Sequence, residues 1–141
     1  MDFDRRELIR RALEQQKSAY APYSGFRVAA AVLTGSGKIY TGVNVENASY
    51  PAGICAERNA ISHAVACGER ELTAIAIVGG INGENRKYCS PCGICRQVMR
   101  EFCDPKEMRV LMAITPEDYL EKTLDELLPD SFGPEDLLGK A

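Results

Sequence analysis

The stretch LTAIAIVGG, residues 72–80, gives the first indication of the fold. It is short and almost wholly apolar, which is typical of a strand buried on both faces of a sheet. MRVLMAIT, residues 108–115, has the same character. Predicted helices alternate with these buried strands, and such an order indicates one sheet that is covered on both faces. We therefore predict an α/β fold, a three-layer α-β-α sandwich with one mixed sheet.

The flanking segments complete this order. FRVAAAVLT (26–34) and KIYTGVNV (38–45) surround the turn GSG and predict a hairpin. Apolar residues at helical spacing, with glycine and proline at the boundaries, predict helices over 4–19, 55–68 and about 92–103. The segment EDYLEKTLDELLP (117–129) is predicted to be at least partly helical.

Length and charge bound the class of protein. With 141 residues, of which 45% are hydrophobic and 26% charged, the chain is expected to form a single domain over residues 1–141. A net charge of −3 argues against nucleic acid as a partner, because nucleic-acid binders usually carry a basic face.

The sequence lacks two features that would indicate a location in a membrane or outside the cell. No apolar run approaches the roughly 18 residues of a membrane span. The N-terminal stretch MDFDRRELIRRALEQQ lacks the apolar core of a signal peptide. We therefore expect no membrane partner and a cytoplasmic location, where six cysteines are expected to be metal ligands or free thiols rather than disulfides.

The cysteine-rich stretch YCSPCGICRQ, residues 88–97, raises a question about chemistry. Cys89, Cys92 and Cys95 are spaced three apart, so two Cys-x-x-Cys pairs overlap on Cys92. The stretch is compatible with a disulfide switch, an iron–sulfur ligand run, a structural zinc clip or part of a catalytic zinc site.

A second motif, CAE at residues 55–57, favours the catalytic zinc site. Each motif opens a predicted helix, so Cys55 is expected to meet Cys92 and Cys95 at one point near the sheet edge. Three protein ligands leave one tetrahedral position for water, as in catalytic rather than structural zinc sites. Glu57 would hold that water and move its proton.

The helix starts also influence the charge of this site. Their free N–H groups and dipoles favour thiolates over thiols. Because three thiolates on one zinc ion leave a net negative charge, we hypothesise that Arg58 and Arg96 donate hydrogen bonds to the sulfurs.

Taken in order, these motifs resemble known proteins. A ligand-x-Glu with a later Pro-Cys-x-x-Cys resembles the signature of zinc-dependent nucleobase deaminases. More closely, the chain resembles the small homotetrameric cytidine deaminases. The segments that carry this resemblance are YAPYSGFRVAAAV (20–32), GVNVENASY (42–50), CAERNAI (55–61), PCGICRQ (91–97) and LLPDSF (127–132).

The resemblance implies which cysteines bind the metal. It makes Cys55, Cys92 and Cys95 the ligands of one zinc ion per chain and leaves Cys89 a bystander. An iron–sulfur run also fails on its own grounds, because it needs a fourth cysteine where this chain has Met99.

The resemblance also implies the reaction and its place in metabolism. The chain would be a hydrolase that deaminates cytidine and deoxycytidine to uridine and deoxyuridine with release of ammonia, in pyrimidine salvage. Zinc-activated water would attack ring carbon 4, and Glu57 would serve as both general base and general acid.

Substrate contacts and assembly follow from the same resemblance. Asn44 and Glu46 would bind the ribose 3′-hydroxyl, and Phe26 would lie against the pyrimidine ring. Phe132 would do so from a neighbouring subunit, so the C-terminal tail, about residues 117–141, would complete that subunit's site in a homotetramer. The backbone of Ala56 and the side chain of Tyr50 would lie near the base or the subunit boundary.

Alternative functions remain open at this point. A deaminase of a modified aminopyrimidine nucleoside would share the zinc machinery but not the paired Asn44 and Glu46. A non-catalytic zinc-stabilised binding module would not need Glu57, and a thiol–disulfide oxidoreductase would not need Cys55.

Overall fold

The computed structural model describes residues 2–139, so the ends of the predicted domain, residue 1 and residues 140–141, lie outside the described part. The helices of this part are α1 Arg5–Gln15, α2 Ala56–Ala66, α3 Gly93–Glu101, α4 Leu124–Leu127 and α5 Pro134–Leu138. The strands are β1 Phe26–Thr34, β2 Ile39–Val43, β3 Leu72–Ile81, β4 Arg109–Thr115 and β5 Asp118–Thr123. Among the described residues, no helix has the length and apolar character that a membrane crossing requires.

The five strands of residues 2–139 form one sheet in the order β2-β1-β3-β4-β5. β1 is antiparallel to both β2 and β3, and Ala30 lies between Gly42 and Ile77 in the register. β3 and β4 are parallel, whereas β4 and β5 are antiparallel. The predicted hairpin and the mixed sheet are therefore confirmed.

Both faces of the sheet are covered. Side chains of a strand alternate between faces, so β1 sends Ala29 and Ala31 toward α1 and Ala30 and Val32 toward α2 and α3. On the α1 face the buried helix residues are Leu8, Ile9 and Ala12. On the opposite face they include Ala60, Ile61 and Met99. The predicted three-layer sandwich is thus confirmed.

The C-terminal region agrees with the prediction in its short helix and differs from it in an additional strand. Residues 118–123 form β5, and the helix in this region is limited to Leu124–Leu127, after a capping box at Thr123. The leucines of 117–129 recur at helical spacing, which favours a helix when the segment is taken alone. Pairing with the edge of β4, where Leu120 lies opposite Met112, outweighs that local preference.

A glycine on β2 sets the distance between α2 and the sheet. A Cβ atom at Gly42 would lie 2.3 Å from the backbone nitrogen of Ala60 and 2.9 Å from the carbonyl oxygen of Ala56. Only glycine therefore permits the backbones of α2 and β2 to approach so closely. This approach holds the start of α2 against the sheet, where the candidate site lies.

Candidate active site

Three thiols converge at the starts of two helices. Cys55 is the N-cap residue of α2, Cys92 is the N-cap residue of α3, and Cys95 lies in the first turn of α3. The Sγ atoms of Cys55 and Cys92 are 4.0 Å apart, and those of Cys92 and Cys95 are 3.4 Å apart. All three sulfurs lie within 4.8 Å of one another.

These distances fit a zinc ion. Tetrahedral coordination with Zn–S bonds of about 2.3 Å requires sulfurs about 3.8 Å apart. The observed separations bracket this value, so the three sulfurs can hold one zinc ion per chain after small adjustments. Three ligands leave the fourth position free, as the sequence predicts.

Cys89 lies outside the cluster of possible metal ligands found among residues 2–139. A Cβ atom at Gly79 would lie 2.7 Å from the Cys89 sulfur and 3.1 Å from the ring of Phe26, so the thiol packs closely between this glycine and the ring. Burial raises the pKa of Cys89 to about 12, which keeps it a thiol at neutral pH.

Arg58 lies next to the cluster. Its Nη2 atom donates a hydrogen bond to the Sγ atom of Cys55 at 3.3 Å, and this bond is the largest cause that raises the pKa of Arg58. Burial opposes the thiolate of Cys92, but backbone N–H groups of Cys95 and Ile94 contribute to lowering its pKa. The guanidinium at Cys55 and the start of α3 at Cys92 thus offset negative charge on these two sulfurs, whereas burial raises the pKa of Cys95.

The contacts of Arg96 do not match the hypothesis that this residue donates hydrogen bonds to the sulfurs. Its Nε atom donates to the carbonyl oxygen of Pro91 at 2.8 Å, and its Nη1 atom to that of Leu127 at 2.6 Å. Its Nη2 atom donates to the hydroxyl of Ser90 at 3.0 Å. Because oxygen acceptors occupy all three nitrogens, Arg96 fastens the loop before α3 to the end of α4 and is not a partner of the sulfurs.

Glu57 occupies the second position of α2, two residues after Cys55. Only 4% of its surface is exposed, and burial raises the pKa of its carboxyl group. The residue lines the same cavity as Cys55 and Cys92. A buried carboxylate in the same cavity as possible metal ligands is suited to proton transfer.

The cavity has a volume of about 670 Å³. It brings together most of the residues that the sequence predicts for the site, namely Phe26, Asn44, Glu46, Tyr50, Cys55, Ala56, Glu57, Arg58 and Cys92. Phe132 does not line the cavity of its own chain. It is 58% exposed, and its carbonyl oxygen accepts a hydrogen bond from Gln97 of α3 at 2.9 Å.

The amide of Asn44 is bound to the edge of β1. Its Oδ1 atom accepts from the N–H of Val28 at 2.9 Å, and its Nδ2 atom donates to the carbonyl oxygen of Phe26 at 2.8 Å. These bonds fix the orientation of the amide at the cavity wall. One N–H of the amide group is left for a ligand.

Glu46 is held by the loop before β1. Its Oε1 atom accepts hydrogen bonds from the backbone N–H groups of Tyr23 and Ser24, at 3.0 and 3.1 Å, and its Oε2 atom accepts from the hydroxyl of Ser24. The sequence predictions omitted Tyr23 and Ser24, although both line the cavity. A serine two residues before a strand is a weak signal for a turn that binds its own backbone.

This geometry defines a zinc-enzyme centre, with three thiols at two helix starts, a buried carboxylate and a polar cavity wall. The family model for the cytidine and deoxycytidylate deaminase zinc-binding region matches residues 3–112. The chain belongs to this family.

Relatives and solved structures agree with the family model. The cytidine deaminase of Halalkalibacterium halodurans is 42% identical over 134 residues, which cover 95% of this chain and 98% of that protein. The crystal structure of cytidine deaminase from Burkholderia pseudomallei superposes with a TM-score of 0.80 at 44% identity, over 89% of this chain and 97% of that one. Cytidine deaminase from Mycobacterium tuberculosis gives 0.79 at 37% identity, over 94% and 99%.

Proposed function

We propose that the chain catalyses the zinc-dependent hydrolytic deamination of cytidine and deoxycytidine to uridine and deoxyuridine. The observation that carries this proposal is the buried Glu57 carboxylate beside the Cys55, Cys92 and Cys95 sulfurs, in a cavity that also presents Asn44 and Glu46. When bound, zinc supplies Lewis acidity toward a water molecule at the position that the sulfurs leave open.

Glu57 carries the protons of the reaction. It accepts one proton as the water oxygen bonds to ring carbon 4, and it delivers this proton to ring nitrogen 3. It then takes the proton of the hydroxyl group on carbon 4 and transfers it to the amine, which leaves as ammonia. Arg58 donates to Cys55 and offsets the negative charge that three thiolates would otherwise concentrate there.

The polar wall of the cavity, formed by Asn44 and Glu46, can bind one hydroxyl group. A carboxylate accepts about four hydrogen bonds, and the loop occupies both positions on Oε1 of Glu46 and one on Oε2. One acceptor therefore remains on Glu46, and Asn44 retains one free N–H. An acceptor and a donor side by side suit a hydroxyl, which donates to one and accepts from the other. We assign this pair to the ribose 3′-hydroxyl.

The apolar contacts of the substrate would come from two chains. Phe26 lines the cavity and offers an aromatic face to a planar base, with the backbone of Ala56 and the side chain of Tyr50 nearby. Phe132 is proposed to act in the site of a neighbouring subunit. Its exposure, its absence from the cavity of its own chain and its attachment to α3 support this role.

The proposed role of Phe132 in a neighbouring site implies that several subunits assemble. The part of the tail beyond α4 would complete the neighbouring site, because residues 118–127 belong to the sheet and helix of their own subunit. We propose a homotetramer in which sites are shared across subunit boundaries. We further propose a cytoplasmic location and a role in pyrimidine salvage. The six cysteines within residues 2–139 are all free, which suits a reducing compartment.

The test of this function is a comparison of substrates. Zinc-loaded protein is incubated with cytidine, deoxycytidine or free cytosine, and the ultraviolet absorbance change and ammonia release are followed. We expect both nucleosides to be deaminated and cytosine to be a poor substrate, because it lacks the hydroxyl that Asn44 and Glu46 bind. A fully zinc-loaded protein that releases ammonia from neither nucleoside would contradict the proposal and favour a modified aminopyrimidine nucleoside.

A further inference from the structure

The hydroxyl of Ser24 links two walls of the cavity. It donates a hydrogen bond to Oε2 of Glu46 and accepts one from the backbone N–H of Phe26 at 3.0 Å. Ser24 thereby connects two groups. One is the Glu46 carboxylate, which we assign to the sugar, and the other is the start of β1, where Phe26 carries the ring that we assign to the base. The hydroxyl–carboxylate bond is also the largest cause that lowers the pKa of Glu46.

The direction of the free lone pair on Glu46 depends on this hydroxyl. Both positions on Oε1 are occupied by backbone N–H groups, so a ligand hydroxyl must bind Oε2. Ser24 occupies one of the two positions on Oε2 and leaves the other. The Ser24 hydroxyl therefore helps to fix the direction of the remaining acceptor.

We infer that Ser24 is a positioning residue that orients Glu46 toward the 3′-hydroxyl of the nucleoside, an inference that rests on the proposed function. Ser24 acts through Glu46 and makes no contact with the reacting ring. Its loss therefore affects the binding of ligands that carry the 3′-hydroxyl and leaves the proton transfers of Glu57 unchanged.

The fold does not depend on Ser24. The side chain is exposed, and the backbone bonds from Tyr23 and Ser24 to Glu46 survive its removal. Other backbone bonds also hold the loop, from Tyr20 to Asn44 and from Asn82 to Gly25, at 3.0 and 2.7 Å. Ser24→Ala is therefore expected to fold and to bind zinc like the wild type.

The experiment compares ligands with and without the 3′-hydroxyl. KM and kcat for cytidine are measured for wild type, Ser24→Ala and Ser24→Thr, together with the inhibition constants of uridine and 3′-deoxyuridine. Ser18→Ala is the matched control, since Ser18 is exposed after α1 and does not line the cavity. Zinc content and melting temperature are recorded for each variant.

We expect Ser24→Ala to raise the KM for cytidine and the inhibition constant of uridine roughly tenfold, near the lower limit for one hydrogen bond to a charged group. Its kcat and the inhibition constant of 3′-deoxyuridine should stay close to wild type, and Ser24→Thr should restore uridine binding. Equal weakening of both inhibitors, or no weakening, would overturn the inference while the wild type still deaminates cytidine. A zinc-loaded wild type that leaves cytidine intact would instead contradict the proposed function, and the inference with it.

Discussion

The Sγ atoms of Cys55 and Cys92 lie 4.0 Å apart although the two residues are 37 positions apart in the chain. Each is the N-cap residue of its helix, so the contact joins the starts of α2 and α3. Three thiols so close together repel one another once they ionise, unless a cation lies between them. The cluster therefore makes metal binding part of the stability of the domain.

Removal of zinc should accordingly destabilise the protein. Metal binding that stabilises the folded state by a few kcal/mol raises the melting temperature by roughly 5–15 °C in a domain of this size. We expect a chelator to lower the melting temperature by about this amount and added zinc to restore it, as measured by calorimetry. An apo protein that melts at the same temperature as the zinc-loaded protein would contradict this expectation.

Arg58 should strengthen zinc binding through Cys55. Loss of a hydrogen-bond partner of a metal ligand typically weakens metal affinity 10- to 100-fold. We expect Arg58→Ala to show a loss in this range when zinc is titrated against a competing chelator. Arg10→Ala is the matched control, because Arg10 is exposed on α1 and pairs with Glu7. Equal affinities of the two variants would show that the bond to Cys55 has no influence on the metal.

Gly42→Ala tests the close approach of α2 to β2. The added methyl group would meet backbone atoms of Ala56 and Ala60, which cannot move without displacing the helix. Such overpacking typically costs about 1–3 kcal/mol of unfolding free energy, measurable by denaturant titration. In Gly35→Ala the nearest atoms to the new Cβ would belong to the side chain of Glu71, which can move, so this control should remain near wild type. A stable, fully active Gly42→Ala protein would show that the close approach of α2 to β2 does not require glycine.

The shared site can be tested by mixing two defective chains. Glu57→Gln subunits and Phe132→Ala subunits are unfolded together and refolded. If Phe132 acts across the subunit boundary, some mixed sites combine an intact Glu57 with an intact Phe132 from the neighbour. Cytidine deamination should then exceed the sum of the separate preparations. No gain over that sum would place Phe132 outside the neighbouring site. The control mixes either single variant with chains that carry both substitutions, and this mixture should give no gain.

The sequence predicts the central part of the fold because local and tertiary preferences agree there. The apolar runs that become β3 and β4 have no other stable location than the middle of a sheet, and the structure places them there. The sequence does not predict β5 because the leucines of residues 117–129 also fit a helix, and pairing with the edge of β4 decides the outcome. Local pattern alone therefore fails where pairing with a distant strand selects the conformation.

The candidate site likewise contains features that the sequence predicts and features that only the folded structure decides. The two predicted helix starts indicate that Cys55 meets the cysteines of residues 89–95, and the family resemblance selects Cys92 and Cys95 among them, as the structure does. Side-chain direction was not predictable. Arg96 is one residue from a ligand, yet the carbonyl oxygens of Pro91 and Leu127 attract its guanidinium. The sequence does not point to Ser24, because its hydroxyl contacts Glu46, which is distant in sequence and adjacent only in the folded loop.

We propose that Glu57 moves the protons of a zinc-dependent deamination. Wild-type and Glu57→Gln proteins, purified side by side without chelator, provide the test. Zinc per chain and cytidine deamination are measured on the same samples. We predict one zinc per chain in both proteins and a loss of roughly 10²- to 10⁴-fold in kcat for the variant, the usual contribution of a general acid–base residue. Equal turnover by two fully zinc-loaded proteins would contradict the claim.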